Sequence, residues 1–156
     1  MKTLSTLLGA LLFGTTVWAA DVEVKAPYVR AVPPGQSNSA AFMQLYNQGA
    51  DVALVSARSK VAQNVELHTH TQDEGVMRMR RIDQIELPAQ QQVTLKPGGL
   101  HIMLIGLQRP LMEGEKVEMT LEFSDGSEQS ISLPIKMPTA AATSGKTMEH
   151  DHSHSH

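Results

Sequence analysis

Short runs of this chain alternate between apolar and polar residues with a period of two, most clearly in VEMTLEF at 117–123. Because successive side chains of a β-strand point to opposite faces, this alternation predicts strands that bury one face. Turn-forming residues separate the runs, and Asp125-Gly126 between two of them predicts a tight hairpin. Beyond the first residues no helical period persists, so we predict an all-β domain, a Greek-key sandwich or barrel. The predicted strands cover residues 22–26, 40–46, 52–57, 65–70, 76–80, 117–123 and 129–135.

Both ends of the chain differ from this alternating middle. A basic start, an apolar stretch and the small residues Val17 and Ala19 predict an export signal over residues 1–19, cleaved after Ala19, and a periplasmic protein. The apolar stretch is too short to span a bilayer comfortably, so we expect no stable membrane insertion. From residue 138 onward small and polar residues dominate, and we expect a disordered tail over 138–156. The folded β-domain is therefore predicted to cover residues 20–137.

Composition excludes several kinds of chemistry. The chain has no cysteine, which rules out disulfides, thiolate zinc sites, iron–sulfur clusters, a bacterial lipid anchor and the thiolate ligand of a blue-copper electron-transfer site. A net charge of −3 with 19% charged residues predicts no binding of nucleic acid. No nucleophile–base set, pair of catalytic carboxylates or phosphate-binding glycine loop is apparent, so we do not expect an enzyme.

The seven histidines occupy only three places: His68 and His70, His101, and the last seven residues. His68 and His70 are two residues apart on a predicted strand, so both side chains leave the same face. The same spacing recurs in Met77 with Met79, and in His101 with Met103. If these segments converge, they form a site of imidazoles and thioethers. Thioether sulfur binds Cu(I) well and Zn²⁺, Mg²⁺ or Ca²⁺ poorly, so this donor set favours copper.

A different interpretation applies to methionines that stand alone. A single methionine on a strand is usually a core residue, because its flexible side chain fills irregular gaps. We therefore predict that Met43, Met112, Met119 and Met137 belong to the core. Every histidine of the predicted domain, in contrast, lies within two residues of another histidine or a methionine. A purely structural β-domain would leave this distribution unexplained.

The spacing of these residues follows the pattern H-x10-M-x21-H-x-M, from His68 through Met79 and His101 to Met103. This pattern resembles the signature of the PCu(A)C family of periplasmic copper chaperones. The flanking segments are also similar to that family, with KPGGLHIML at 96–104 and GVMRMR at 75–80. The resemblance continues through 106–114 and through 30–46, and it covers about residues 22–136.

The resemblance implies a cupredoxin-like fold with a shallow Cu(I) site that solvent can reach. It implies the ligands His68, Met79, His101 and Met103, with His70 and Met77 as secondary candidates. Many relatives carry methionine where this chain has His70. The implied role is to pass copper, alongside a Sco-type protein, to the dinuclear copper centre of cytochrome c oxidase subunit II. The protein is expected to act as a monomer.

The tail is a second candidate copper site. The imidazoles and thioether of the tail are suited to capturing Cu(II), Ni²⁺ or Zn²⁺. The tail candidates are Met148, His150, His152, His154 and His156.

A second interpretation of the function remains open. A periplasmic copper-buffering or resistance protein without a dedicated recipient would use the same ligands, and the sequence does not separate it from a chaperone.

Overall fold

The computed structural model describes residues 20–137, and in this range the chain forms ten strands and no helix. The predicted export signal and the His-rich tail lie outside these residues. Within them there is also no helix that is long and apolar enough to cross a membrane. The strands are β1 (Val22–Arg30), β2 (Asn38–Asn47), β3 (Val52–Arg58), β4 (Ala62–Asp73), β5 (Val76–Arg81), β6 (Ile85–Leu87), β7 (Gln92–Leu95), β8 (His101–Leu107), β9 (Lys116–Phe123) and β10 (Glu128–Lys136).

The strands form a β-sandwich whose two layers meet at one short parallel seam. Along the sheet the order is β5-β4-β8-β2-β1-β10-β9-β3-β6, and β7 also pairs with β2. The seam between β1 and β10 is parallel and pairs Val29 with Ile135, whereas the other strand pairs are antiparallel. The core lies between the layers, where Leu67 and Ile102 from one layer and Leu121 from the other are buried. The all-β prediction is confirmed.

All seven predicted strands are present. In β9 the alternation decides which side chains are buried, and Val117, Met119, Leu121 and Phe123 are all buried. The Asp125-Gly126 hairpin is also present: Phe123 N–H donates to the Ser127 carbonyl at 2.9 Å. β6, β7 and β8 lie outside the predicted strands, because the first two are short and β8 is apolar on both faces.

The prediction of core methionines is right for two residues and wrong for two. Met43 and Met119 are buried, but Met112 is 52% exposed and Met137 is 57% exposed. Met112 lies in the connection between β8 and β9, and Met137 follows the last residue of β10. Neither position belongs to an alternating strand, so nothing directs its side chain toward the core.

The β4–β5 hairpin sets the geometry of the candidate site. Its turn consists of Glu74 and Gly75, which have φ angles of +49° and +80°. Two successive residues with positive φ are characteristic of the type I′ turn, whose twist matches that of paired strands. This turn places Asp73 opposite Val76, and the ladder that follows pairs His70 with Met79.

Candidate metal centre

The candidate ligands of the folded domain lie on one face of the β5-β4-β8-β2-β1 layer. His68 pairs with His101 across β4 and β8, and His70 pairs with Met79 across β4 and β5. Directly paired residues point to the same side of a sheet. Leu67 alternates with the two histidines of β4 and is buried in the core, so the candidate ligands occupy the opposite, outer face.

Met103 and Met77, the other two candidate ligands, lie at different distances from the histidines. Met103 is two residues beyond His101 on β8 and pairs with Glu66. Met77 is 55% exposed and pairs with Gln72, one position on the same face beyond the His70–Met79 pair. Met77 therefore lies toward the hairpin end of this face, farther from the paired histidines.

A cleft of about 320 Å³ opens over these strands. Four candidate ligands line it: His70, Met79, His101 and Met103. Its other wall includes Arg30 and Phe42, which make a cation–π contact at 5.4 Å from guanidinium to ring centre. His68 is not among the lining residues and lies beside the cleft, its ring centre 5.7 Å from that of His101.

His101 is the buried centre of this arrangement, with 2% of its surface exposed. Its Nδ1 lies 3.0 Å from the carbonyl oxygen of Gly99, so Nδ1 carries the proton and donates it. Nε2 is buried and has no hydrogen-bond partner. Burial lowers the pKa of His101 below its ordinary value of 6.5, and charges on His70, His68 and Arg30 act in the same direction. The ring is therefore neutral at pH 7, as metal coordination requires.

His68 repeats this arrangement with the two ring nitrogens exchanged. Its Nε2 lies 2.8 Å from Oε2 of Glu66, whereas its Nδ1 is buried without a partner. The other carboxylate oxygen of Glu66 lies 3.6 Å from Nη1 of Arg81. The hydrogen bond to His68, together with the charge of Arg81, holds the pKa of Glu66 below its ordinary value of 4.5.

Among residues 20–137, His68 Nδ1 and His101 Nε2 are the only buried side-chain nitrogen or oxygen atoms without a hydrogen-bond partner. Buried polar atoms are nearly always paired, so two orphans on facing histidines call for an explanation such as a bound ion. The ring centre of His101 lies 5.7 Å from that of His68 and 5.2 Å from that of His70. Two imidazoles that bind one metal at ~2.0 Å in tetrahedral geometry have ring centres about 5 Å apart.

The donor set also indicates what kind of ion suits the site. Within the described range, no group of three His, Cys, Asp or Glu residues is arranged to hold a metal ion. Met79 and Met103 line the same cleft as His101, and a mixed imidazole and thioether site is suited to Cu(I).

Sequence reasoning overlooked three residues that shape the site: Glu66, Gly99 and Phe42. Glu66 was detectable, because it lies two residues before His68 on an alternating strand and must share its face. Gly99 was visible only as part of the KPGGLHIML segment, and nothing local shows that its carbonyl accepts a hydrogen bond from His101. Phe42 comes from β2, and only the strand order brings its ring to 6.3 Å from that of His101.

The chain matches one family model and two curated proteins. The family is described as "Putative lipoprotein LpqE-like" and its model matches residues 22–135. A Leifsonia xyli subsp. xyli protein with a lipoprotein name, Lxx21020, is 38% identical over 120 residues, which cover 76% of this chain and 71% of that protein. The uncharacterized protein RP573 of Rickettsia prowazekii is 29% identical over 101 residues, 64% of this chain and 56% of its own length.

Several solved structures share this fold, and PCuAC domains are among them. The copper-bound PCuAC domain from PmoF2 has a TM-score of 0.65 and 26% identity, covering 78% of this chain and 97% of that domain. The Cu(I) form of DR1885 from Deinococcus radiodurans has a TM-score of 0.64 and 35% identity, covering 81% of this chain and 84% of that protein.

Proposed function

Because the chain belongs to the LpqE-like family and shares the fold of copper-binding PCuAC domains, we propose that it is an exported copper chaperone. The proposed ligands of Cu(I) are His68, Met79, His101 and Met103, with His70 and Met77 as further donors at the open end of the site. Copper is the cargo of the protein, which binds the ion and releases it to another protein.

The observation that carries this proposal is the pair of orphaned ring nitrogens. Nδ1 of His68 and Nε2 of His101 are buried on directly paired residues, and each has a free lone pair. Leaving a buried polar atom unpaired costs about 1–3 kcal/mol, so such a pair is not expected without a compensating role. A Cu(I) ion bound between the strands would supply that role and would recover the lost interaction.

The donor set also suits release. Thioethers are neutral and need no deprotonation, so copper exchange at Met79 and Met103 requires no thiol chemistry. Met79 is 44% exposed, so an incoming ligand from another protein has access to that side of the ion. A recipient with thiolate ligands binds Cu(I) more tightly than this set, and transfer then runs downhill.

We further propose the cellular setting. Copper would move, together with a Sco-type protein, toward the dinuclear centre of cytochrome c oxidase subunit II in the periplasm. Export would use residues 1–19 as a cleaved signal; lipid attachment is not proposed, since the sequence contains no cysteine. Residues 138–156, with Met148 and four histidines, would collect Cu(II) or loosely held copper and pass copper on to the folded site; Cu(II) collected in this way would take up one electron from a reductant outside this protein before it is held there as Cu(I).

Competition titration with a chromophoric Cu(I) chelator tests the site. His101→Ala and Met79→Ala are each expected to lower Cu(I) affinity at least tenfold, because each removes a ligand. Met112→Ala is the matched control, since Met112 is exposed like Met79 but lies on a connection outside the cleft. Equal affinity in all three variants and the unmodified protein would refute the site.

The recipient requires a separate experiment in cells. In a deletion strain grown at low copper, a chaperone predicts a loss of cytochrome c oxidase activity that added copper restores. Normal oxidase activity combined with lowered copper tolerance would instead identify a buffering or resistance protein.

A further inference from the structure

We infer that Glu66 is a positioning residue that makes His68 bind copper through Nδ1, while His101 binds the same ion through Nε2. This inference rests on the proposed copper site and adds the donor atom of each imidazole, together with the side chain that selects it. The two facing histidines would thus present different nitrogens to one ion.

Glu66 acts on His68 from the same strand face. The two residues are two positions apart on β4, and Oε2 of Glu66 lies 2.8 Å from Nε2 of His68. An ionised carboxylate only accepts hydrogen bonds, so Nε2 of His68 must carry a proton to donate to Glu66. The lone pair is then on Nδ1, the atom that is buried without a partner.

The carboxylate of Glu66 also has a cation nearby on the facing strand. Its second oxygen lies 3.6 Å from Nη1 of Arg81, and Arg81 is the direct partner of His68 in the β4–β5 ladder. Glu66 is only 25% exposed at its side chain. A carboxylate that accepts a hydrogen bond from a ligating imidazole fixes the ring orientation and makes the free nitrogen a stronger donor.

The other two histidines show why this effect is specific to His68. His101 has its tautomer set by a backbone carbonyl, that of Gly99, at 3.0 Å from Nδ1. Nδ1 of His70 lies 3.4 Å from the same carbonyl, so it is a weaker competitor for an acceptor already in use. A mutation of Glu66 should therefore change the tautomer of His68 and leave that of His101 intact.

A purely structural role of Glu66 would rest on its ion pair with Arg81. That pair is long, and Arg81 is 69% exposed at its side chain, so it contributes little to stability. The tautomer of His68 separates the two roles, because loss of an ion pair between Glu66 and Arg81 would not by itself move the proton from one ring nitrogen of His68 to the other.

The test is long-range ¹H–¹⁵N NMR of the imidazoles in the purified protein, without copper and with one equivalent of Cu(I). We expect His68 to carry its proton on Nε2, and Cu(I) to shift Nδ1 of His68 and Nε2 of His101. In Glu66→Ala, His68 should become a mixture of tautomers, and Cu(I) affinity should fall about 10- to 100-fold. Glu128→Ala, which removes another carboxylate paired with an arginine, Arg58, should change neither.

Glu66→Gln keeps an acceptor oxygen but removes the charge, and it serves if the alanine variant does not fold. It should keep the Nε2–H tautomer and still lower Cu(I) affinity. A proton on Nδ1 of His68 in the unmodified protein, a Cu(I) shift at its Nε2, or unchanged affinity in both Glu66 variants would overturn the inference. If His101→Ala also leaves Cu(I) affinity unchanged, the proposed copper function fails instead.

Discussion

At the scale of single residues, His70 is the point where this chain departs from the pattern it resembles. His70 pairs with Met79, lines the cleft and has its ring centre 5.2 Å from that of His101. An imidazole is a harder donor than a thioether and favours Cu(II) more strongly. The site of this protein is therefore expected to tolerate Cu(II) better than one with methionine at that position.

His70→Met should reverse this preference. We expect Cu(I) affinity to stay within a few fold and Cu(II) affinity to fall at least tenfold, because a thioether replaces an imidazole at the same paired position. Competition titrations in both oxidation states measure the two affinities on proteins that lack residues 138–156, because the tail is itself proposed to bind Cu(II). Thr71→Met on the neighbouring, exposed position is the control; an equal loss of Cu(II) binding there would contradict the prediction.

At the scale of elements, the β4–β5 hairpin depends on a turn whose residues can be recognised in the sequence. Glu74 and Gly75 both have positive φ, and their turn determines that His70 faces Met79. The β9–β10 hairpin contains a comparable glycine, Gly126, with φ +82°. A Cβ added at Gly75 or at Gly126 would meet no atom within 4 Å, so only backbone strain separates alanine from glycine there.

Gly75→Ala and Gly126→Ala should therefore lower stability equally but differ in their effect on Cu(I) affinity. Each should lower the free energy of unfolding by about 1–2 kcal/mol, the cost of a left-handed backbone for a residue with a Cβ. Only Gly75→Ala should weaken Cu(I) binding, because only that turn aligns Met79 with the histidines. Urea unfolding and Cu(I) competition check both parts; weaker copper binding in Gly126→Ala would argue against a local effect.

Strands with an alternating apolar and polar pattern could be predicted from the sequence, whereas β8 could not. β8 carries Ile102 and Leu104 toward the core and His101 and Met103 toward the site. With apolar or buried residues on both faces it has no clear alternation, and the turn before it was the stronger local signal. Its place between β4 and β2 depends on pairing with strands distant in sequence.

At the scale of the whole molecule, the buried neutral His101 links stability to pH. Burial lowers the pKa of His101 below 6.5, so below that pH the unfolded chain binds a proton that the folded domain resists. Unfolding then takes up protons, and stability falls as the solution becomes more acidic. The pKa of Glu66 lies below 4.5, so this carboxylate contributes only at lower pH.

We expect the urea midpoint of the copper-free protein to decrease from pH 7.5 to pH 5.5, over the range in which an unfolded histidine becomes charged. His101→Gln should flatten this dependence, even if it lowers stability at every pH, because the buried titrating ring is gone. A slope as steep in His101→Gln as in the unmodified protein would assign the effect to other groups.

The sequence by itself determined the strand-rich fold, the two-residue spacing of the donor pairs and a thiolate-free donor set, because alternation and residue chemistry are local properties. It did not determine which histidines line the cleft, that one nitrogen of His68 and one of His101 are buried without a partner, or that Phe42 lies beside the imidazoles. Those features depend on the register between strands distant in sequence, and that register is decided by burying one face of every strand in a common core.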